Sequence, residues 1–539
     1  MTPRATADAP GSPRRAAIVG SGPNGLTAAC LLARDGWDVV VYESAAAPGG
    51  AVRSARVLGD SVVSDLGASA HPMGAVSLAF EDLGLTDYGL EWAYPKYPAV
   101  HGLDDEAPVL LHSSLREQVE ELGVDGRRWA WLVGAASRAW PQVNRAAMSP
   151  PTRPFSATSG LLRGPGAADA VADRLLAYVK LGSAGAWPAA LVNRLFREER
   201  ARALFTGLAA HATLPLNRPI TGAFGVLFAA AGHADGWPMA RGGSQAIVDA
   251  LLACLHSYGG RVVTDFHVDT VRQGSAATSG RGPTYSIAGR RRQGRAAGER
   301  RKAEAPADVV LLDMGPKQVL ELEGLPLTRR YERSLRQWED GPGVVKVDYL
   351  VRSPMPWAHQ ELAGAGTVHL GGSSRQIAAS EAAVHRGVLP GRPYVLLTQP
   401  GAADTTRAPE GYEVLWAYAH VPAGLDDDGA SRAAQMITAE IERQAPGFGD
   451  AVVASKVWGP QQLQEWNPNL VGGAITGGVP SLQQLLARPA WPGVSGAGPY
   501  GTGTAGVYLC SSSTPPGGGA HGMPGYHAAR AVLQRYGPA

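Results

Sequence analysis

The chain has 539 residues and a formal net charge of +2, from 49 basic and 47 acidic side chains. Apolar residues make up 45% of it and charged residues 18%, which is typical of a folded globular protein of two or more domains and excludes a disordered one. The balanced charge excludes the strongly basic character of a nucleic-acid-binding protein. The three cysteines, Cys30, Cys254 and Cys510, form neither a CxxC pair nor a metal-ligand spacing, so we predict no metal site and no dithiol chemistry.

The first residues, 1–13, contain arginines but no apolar stretch of the kind that a secretory signal requires. We expect a short disordered tail there, with a transit peptide as the alternative. The most apolar stretch, residues 220–232, is shorter than the roughly 20 apolar residues that cross a bilayer. We therefore expect a cytoplasmic protein with at most peripheral membrane contact. Nothing in the sequence indicates an oligomeric state.

The sequence AAIVGSGPNGLTAACLLARDGWDVVVYES, residues 16–44, predicts a strand, a glycine-rich turn, a helix and a second strand. The turn is a GxGxxG. Gly20 allows the tight turn, Gly22 lets the backbone approach a pyrophosphate, and Gly25 lets the helix pack closely on the strand. The start of the helix offers free N–H groups and a partial positive charge to the phosphates. Together these features predict a Rossmann-type dinucleotide site.

Glu43 ends the second strand, at the position where an acid binds the ribose hydroxyls of the adenosine. A carboxylate there would repel the 2′-phosphate of NADP, so we expect FAD or NAD. The following sequence, PGGAVRS at residues 48–54, resembles the GG-x-x-R extension of FAD enzymes of the amine oxidase and phytoene desaturase type. That resemblance favours FAD and places Arg53 near the phosphates or the flavin.

Later segments predict the rest of the architecture. Residues 242–264 form a helix and a strand that return to the nucleotide-binding sheet, and 307–316 add another strand. Residues 343–355 and 412–422 alternate like strands of a mostly antiparallel sheet, the expected floor of a substrate pocket. The Gly- and Arg-rich stretch 273–306 predicts a long solvated hairpin loop.

The chain resembles the phytoene desaturase-related FAD oxidoreductases, and within them the subgroup of pyridine nucleotide-disulphide oxidoreductase domain-containing protein 2. The resemblance extends over nearly the whole chain. The matching stretches include IVGSGPNGLTAACLLARDGWDVVVYE, PGGAVRS, DLGASAHPMG, WPMARGGSQAIVDAL, GPGVVKVDY, TVHLGG, LWAYAHVP, NPNLVGG and YLCSSSTPPGGGAHGMPGYHAARA. These motifs are specific for the fold and the cofactor, and much less so for the substrate.

The resemblance implies an α/β fold, α+β overall, with a Rossmann-type FAD-binding domain and an inserted substrate domain built on a mostly antiparallel sheet plus helices. The FAD-binding domain would be discontinuous and comprise residues 14–77, 233–330 and 480–539. The substrate domain would comprise 78–232 and 331–479.

The cofactor site is expected to draw on both ends of the chain. The expected FAD-binding residues are Gly20, Gly22, Pro23, Asn24, Gly25, Glu43, Gly49, Gly50, Arg53, Gly67, Val268, Ser512, Gly522 and Met523. Many FAD enzymes follow their last strand with Gly-Asp, but this chain has Ser511-Ser512 there, so Ser512 would offer a hydroxyl without a charge. The helix after Pro524 would aim its positive end at the flavin.

The expected activity is hydride transfer from a hydrophobic substrate, possible examples being a polyene or a prenyl compound, to the flavin, in a dehydrogenase or desaturase reaction. His521 and His71 lie in the two segments that the resemblance places beside the flavin, and Tyr526 follows on the terminal helix, so these three are the candidate catalytic residues. The alternatives are an FAD amine oxidase or flavin-dependent isomerase on the same scaffold, and a flavin-binding regulatory or interaction protein.

Overall fold

A computed structural model describes residues 13–150, 187–274, 283–291, 298–303, 306–491 and 498–537. The strands in chain order are β1 (Arg15–Val19), β2 (Asp38–Tyr42), β3 (Ser54–Ala55), β4 (Ser64–Asp65), β5 (Trp92–Ala93), β6 (Tyr97–His101), β7 (Val109–Leu111), β8 (Met239–Ala240), β9 (Arg261–Val263), β10 (His267–Gln273), β11 (Tyr285–Arg290), β12 (Arg300–Lys302), β13 (Val309–Leu312), β14 (Gly343–Arg352), β15 (Ala365–Leu370), β16 (Val395–Thr398), β17 (Tyr412–Val421), β18 (Val452–Trp458) and β19 (Val507–Leu509).

The α-helices of the described residues are α1 (Pro23–Arg34), α2 (Leu78–Asp82), α3 (Leu115–Glu121), α4 (Gly126–Arg138), α5 (Trp140–Ala147), α6 (Ala189–Val192), α7 (Glu199–Ala210), α8 (Thr221–Ala234), α9 (Gln245–Ser257), α10 (Pro316–Leu320), α11 (Arg329–Arg336), α12 (Ser374–His385), α13 (Asp427–Gln444), α14 (Phe448–Ala451), α15 (Pro460–Trp466), α16 (Leu482–Leu486) and α17 (Met523–Tyr536).

A five-stranded parallel sheet is the centre of the nucleotide-binding half. Its strand order is β19-β13-β1-β2-β9, and every pair is parallel. Strands such as β13, with the sequence VVLL, are buried on both faces, as expected of a parallel sheet covered on both sides. The sheet takes its strands from three separate parts of the chain.

The two faces of this sheet pack against different layers. Alternate residues of a strand point to opposite faces. Ile18 and Leu311 accordingly join a core with α1, α9 and α17, while Val19 and Leu312 join a second core beneath the three-stranded sheet β10-β11-β12. Helix α1 is buried along nearly its whole length between α9 and α17. The turn that precedes α1 is therefore held rigidly.

The second half of the molecule is built on a seven-stranded sheet of order β18-β14-β17-β16-β15-β6-β7. All its pairs are antiparallel except β15 with β6, so the predicted mostly antiparallel sheet is confirmed. On β14, Val345 and Val347 pack under helix α13, whereas Lys346 and Asp348 point to the opposite face. That opposite face looks toward the nucleotide-binding half.

The stretch 273–306 differs in part from its prediction, and the N-terminal tail lies mostly outside the described residues. The stretch 273–306, expected as a long solvated hairpin loop, contains strands β11 and β12, which continue an antiparallel pairing with β10. It is not fully solvated, since Tyr285 and Ile287 on β11 are buried against the parallel sheet. Strand β11 is short and arginines surround it, so the alternation of its apolar residues is not evident in the sequence. Its segments 275–282, 292–297 and 304–305, and residues 1–12 of the expected tail, lie outside the described residues.

No helix within the described ranges combines the length and the hydropathy that a membrane-spanning helix needs.

We predict that Gly25→Ala lowers the free energy of unfolding by about 1–3 kcal/mol. A Cβ atom on Gly25 would lie 2.2 Å from the carbonyl oxygen of Gly20, so the backbone of the turn would have to move. The matched control is Gly391→Ala, because a Cβ there meets no atom within 4 Å and Gly391 does not have a positive φ. Urea denaturation should show a change of less than about 0.5 kcal/mol for the control. Equal effects of the two substitutions would contradict the close packing of the turn.

Candidate active site

A cavity of about 1150 Å³ lies between the two halves of the molecule. Its wall includes the turn after β1, the end of β2, the segment 66–74 and the inward face of the seven-stranded sheet. Pockets for a single drug-sized ligand measure about 300–1,000 Å³. The cavity is therefore larger than a pocket for one drug-sized ligand.

The glycine-rich turn forms one end of this cavity. Gly20 has a φ of +99°, which favours glycine, and α1 begins at Pro23 without a capping side chain before it. Gly22 and Gly50 face each other, since a Cβ on Gly50 would lie 3.0 Å from the Cα of Gly22. The absence of side chains lets these two backbones approach each other at the N-terminus of α1, and this region is the candidate phosphate cradle, because a helix N-terminus suits a phosphate.

Glu43 lies beside this turn at the end of β2 and lines the cavity. Its Oε2 accepts hydrogen bonds from the N–H of Ser21 at 2.9 Å and from Ser21 Oγ at 2.5 Å, and its Oε1 accepts one from the N–H of Ala45 at 2.7 Å. These bonds fix the carboxylate at the rim of the phosphate cradle. Ser44 Oγ also donates to Oε1 at 3.3 Å, so four hydrogen bonds take up the roughly four acceptor positions of the carboxylate, and a ribose hydroxyl would replace the long bond from Ser44.

A buried network of charges lies beneath the cavity. Arg407 is 1% exposed and donates from Nε to Asp404 Oδ2 at 2.9 Å and from a terminal nitrogen to Asp65 Oδ2 at 3.2 Å. Its other terminal nitrogen donates to the carbonyl of Ala240. One guanidinium thus balances two buried carboxylates and joins three segments of the chain.

Asp65 is the centre of this network. Besides Arg407, its carboxylate accepts hydrogen bonds from Ser54, Ser69 and the N–H of Ser244. Burial alone would raise the pKa of Asp65, but Arg407 and these donors outweigh burial and lower the pKa below its ordinary value. Asp65 is therefore ionised at neutral pH.

Lys346 carries a positive charge to the cavity wall. Its Nζ donates to both carboxylate oxygens of Asp348 and to the carbonyl of Asp65, each at 2.8 Å, and the side chain is 2% exposed. Burial lowers the pKa of Lys346, and the attraction of Asp348 opposes this effect. Trp416 and Trp458 flank the ammonium at 5.6 and 5.7 Å.

His71 is the predicted catalytic residue that the structure brings to the cavity. Its Nε2 lies 2.9 Å from Ser244 Oγ, whose single proton goes to the carbonyl of Ala68. His71 Nε2 must therefore donate, which leaves a lone pair on Nδ1. Among the described residues, Nδ1 has no hydrogen-bond partner. Burial lowers the pKa of His71 to about 4, so the ring is neutral at neutral pH.

The other two candidates lie behind the cavity wall. His521 accepts the N–H of Met523 on its Nδ1 at 3.2 Å, and burial lowers its pKa to about 4. The Tyr526 hydroxyl accepts a hydrogen bond from Arg530 on the outer side of α17. Both side chains are held by local bonds at the start of the terminal helix. Their catalytic roles stay predictions that this placement does not favour.

The expected FAD-binding residues divide in a similar way. Those that line the cavity are Gly20, Gly22, Pro23, Asn24, Glu43, Gly50, Arg53, Gly67, Val268 and Ser512. Those that lie just behind the wall are Gly25, Gly49, Gly522 and Met523. A Cβ on Gly522 would meet Thr27, and one on Gly49 would meet Val248, so these glycines allow close packing behind the site. Their predicted contact with the cofactor remains a prediction.

Ser512 lies where the resemblance places an acid, and a buried arginine lies behind it. Arg488 donates to the carbonyls of Ser512 and Gly477 and stacks over Trp338 at 5.2 Å. Burial lowers the pKa of Arg488 to about 10, which leaves it positively charged at neutral pH. This part of the site therefore has a positive charge behind a neutral serine.

A histidine pair that no sequence motif indicates lies at the far end of the cavity. His211 lines the cavity, and its Nε2 lies 3.0 Å from Nε2 of His369 on β15. Burial lowers the pKa of His211 to about 3, so this pair exchanges one hydrogen bond between neutral rings. Phe228, Trp237 and Tyr418 form the surrounding wall. No motif joins these residues in the sequence, because they come together only through the fold.

Comparison with known proteins supports this description. A model of the NAD(P)-binding Rossmann-like domain matches residues 18–82. Pyridine nucleotide-disulfide oxidoreductase domain-containing protein 2 of Rattus norvegicus is 27% identical over 327 residues, which cover 56% of this chain and 52% of the relative. The protein of the same name from Mus musculus is 27% identical over 328 residues, with the same coverage.

The chain is a relative of pyridine nucleotide-disulfide oxidoreductase domain-containing protein 2. The predicted resemblance is thus confirmed. The matched region spans about half the length of the curated relatives.

Solved structures show the same fold. An oxidoreductase from Methanosarcina mazei has a TM-score of 0.60 at 13% identity, and the match covers 96% of this chain and 100% of that one. Putrescine oxidase bound to putrescine has a TM-score of 0.58 at 16% identity, covering 97% and 99%. Cyclohexylamine oxidase from Brevibacterium oxydans has a TM-score of 0.55 at 13% identity, covering 98% and 99%. The predicted fold class is confirmed.

We predict that Arg407→Met lowers the free energy of unfolding at neutral pH by about 3–5 kcal/mol, because it leaves two buried carboxylates without a cation. Hydrogen bonds and Arg407 lower the folded-state pKa of Asp65 and Asp404, so their contribution is present above the unfolded pKa and is lost as pH falls through the folded one. Without Arg407 both folded pKa values rise. The deficit of the variant should therefore shrink on acidification.

Urea denaturation at neutral pH and at about pH 5 measures both effects. The control is Arg116→Met, since Arg116 pairs with Glu120 on the surface and is 89% exposed. We expect the control to change stability by less than about 1 kcal/mol. If Arg407→Met lowers the free energy of unfolding no more than the control does, the buried network does not stabilise the fold.

Proposed function

We propose that the protein is an FAD-dependent oxidoreductase that removes a hydride from a hydrophobic organic molecule. The observation that carries this proposal is the division of one cavity into two chemically different ends. One end has the glycine cradle, Glu43 and Ser512, which suit a dinucleotide. The other end has aromatic and aliphatic walls, including Phe228 and Leu396, which suit an apolar substrate.

The residues at the nucleotide end fit FAD. Gly22 and Gly50 line the cavity at the N-terminus of α1, which suits a pyrophosphate, and Glu43 lines the same end, where a ribose would follow. Segment 66–74 and residues 518–520 line the continuation of the cavity. The relatives with similar folds include oxidases, which agrees with a flavin.

FAD supplies a hydride acceptor at the flavin N5 atom. The chain must then bind the substrate, exclude water and manage protons. The aromatic wall excludes water, and the neutral His71 lines the cavity while its Nδ1 atom is buried. Lys346 places a positive charge between the two ends, where it can offset negative charge that forms during reduction.

The direct test is anaerobic reduction of the purified protein. We expect a protein with a bound yellow flavin, whose absorbance bleaches when the correct hydrophobic substrate is added. Candidate compounds should include unsaturated lipids and prenyl compounds. A protein that binds no flavin after incubation with FAD would overturn the proposal.

Amine oxidation is the second candidate, and the folds of putrescine oxidase and cyclohexylamine oxidase favour it. The aromatic wall near Trp416 and Tyr418 would also suit the alkyl part of an amine. Formation of hydrogen peroxide from amines in air would support this candidate. Anaerobic bleaching by an uncharged lipid, with no peroxide from amines, would support the first.

We predict that Glu43→Gln weakens FAD binding about tenfold or more, because the amide loses the charge-assisted acceptor that holds the turn and binds the ribose. Isothermal titration of the apoprotein with FAD measures this change. Glu106→Gln, an exposed acid outside the cavity, is the matched control and should bind FAD like the wild type. An unchanged affinity of Glu43→Gln would remove Glu43 from the binding site.

We predict that Lys346→Met keeps FAD but slows reduction of the flavin by about tenfold or more, because the variant removes the cation from the junction of the cavity. Stopped-flow absorbance after mixing with substrate measures the reductive step. Lys456→Met is the control, since Lys456 lies on the exposed edge strand β18. Wild-type reduction rates in Lys346→Met would exclude Lys346 from the reaction.

A further inference from the structure

Asp313 lies at the phosphate cradle, although no motif marks it as part of the site. It follows β13 in the parallel sheet, and its N–H donates to the carbonyl of Val19 at 2.7 Å. Its Oδ2 accepts the N–H of Gly25 at 2.9 Å. A Cβ on Gly22 would lie only 2.6 Å from Oδ2, so the carboxyl group touches the glycine-rich turn and lines the cavity.

The side chains that face Asp313 carry no positive charge, and the N–H groups of Gly22 and Gly25 at the N-terminus of α1 are the donors that favour its ionised form. Glu43 approaches from the end of β2, Cys510 from the segment after β19, and Asn24 from the first turn of α1. Within the described residues, no lysine or arginine makes a hydrogen bond or an ion pair with Asp313. Asp313 is 8% exposed, so water reaches only the part of the carboxyl group that lines the cavity. The carboxyl groups of Glu43 and Asp313 therefore both lie beside the proposed pyrophosphate site.

This environment favours the neutral carboxyl group. Burial raises the pKa of Asp313 to about 7, the negative charge of Glu43 adds to this effect, and hydrogen bonds from Gly25, Asn24 and Gly22 oppose it. Burial and Asp313 also raise the pKa of the Cys510 thiol, which keeps that thiol neutral. Near neutral pH, Asp313 is thus divided between its two protonation states.

Asn24 offers a partner for the neutral form. Its buried amide oxygen has no hydrogen-bond partner among the described residues, while its side chain hydrogen-bonds to Asp313. A rotation of 180° about the Cβ–Cγ bond of Asn24 would turn the amide oxygen toward Asp313. Only a protonated carboxyl group can donate a hydrogen bond to that oxygen.

We propose that FAD binding is coupled to protonation of Asp313, so that the phosphate-binding turn takes up a proton as the cofactor binds. The inference rests on the proposed binding of FAD. A pyrophosphate adds negative charge to a turn that Asp313 touches, and repulsion between like charges disfavours the carboxylate. The neutral carboxyl group removes this repulsion and keeps its acceptor bond to the N–H of Gly25. FAD should therefore bind more tightly at lower pH.

The test is titration of the apoprotein with FAD from about pH 6 to about pH 8.5. We expect the dissociation constant to rise with pH by at most about tenfold per pH unit above the pKa of the free site, the limit for uptake of one proton. FAD has no group of its own that titrates near neutral pH. Isothermal titration in buffers of different ionisation enthalpy should show uptake of up to one proton at mildly alkaline pH.

Asp313→Asn is the decisive variant, because the amide has the shape of the neutral carboxyl group and cannot ionise. It should bind FAD with little pH dependence and more tightly than the wild type at the alkaline end. Asp308→Asn is the matched control, since Asp308 lies at the other end of β13 and accepts the N–H of Arg15 at 2.8 Å. The control should keep the pH dependence of the wild type.

The possible outcomes separate the two proposals. FAD binding that is independent of pH in the wild type, or that keeps its pH dependence in Asp313→Asn, overturns the proton coupling and leaves FAD binding intact. A wild-type protein that binds no FAD at any pH overturns the proposed function, and the coupling with it. If Asp313→Asn does not fold, the buffer-dependent titration of the wild type still decides whether a proton is taken up.

Discussion

The pairing of Asp65 with Arg407 is the interaction on which the arrangement of the two halves depends. Asp65 belongs to the small hairpin after the nucleotide-binding turn, and Arg407 precedes the central strand β17 of the seven-stranded sheet. The carboxylate of Asp65 also accepts the N–H of Ser244 at the start of α9, and its carbonyl accepts a hydrogen bond from Lys346. Burial makes each of these groups costly without its partner, so the hairpin, the helix and the sheet must be placed together. The cavity is the space that this placement leaves.

The charges around the cavity follow a pattern that reflects this constraint. On the sheet side, Lys346 is compensated by Asp348, and Arg407 by Asp65 and Asp404. At the glycine-rich turn, Glu43 is held by backbone and hydroxyl donors, and Asp313 touches the turn without a cation. Compensated pairs keep one geometry over a wide range of pH, whereas an uncompensated carboxyl group responds to any charge that enters. The sheet side therefore keeps its charges balanced, and the turn is the part of the site whose charge can respond to a ligand.

The sequence predicted those parts of the site that depend on neighbouring residues. The turn from Gly20 to Gly25, the strand that ends at Glu43 and the alternation of β14 are all local patterns, and each was found where it was expected. The pairs Lys346–Asp65, His211–His369 and Asp313–Gly25 join residues more than a hundred positions apart, so no local pattern could indicate them. His521 shows the opposite limitation. The resemblance of its segment placed it beside the flavin, whereas in the fold its ring accepts the N–H of Met523 behind the cavity wall, and its catalytic role stays a prediction.

The protonation states of the buried histidines decide how the cavity handles charge. Burial lowers the pKa of His71 to about 4 and that of His211 to about 3, so neither ring is a cation at neutral pH. Each neutral ring can accept or donate a hydrogen bond, but it cannot balance a negative charge without first taking up a proton. The ammonium of Lys346 is already present at the junction and is held by Asp348 and the carbonyl of Asp65. Negative charge that develops in the cavity therefore meets a lysine whose own charge Asp348 already balances, and the neutral histidines contribute hydrogen bonds but no charge.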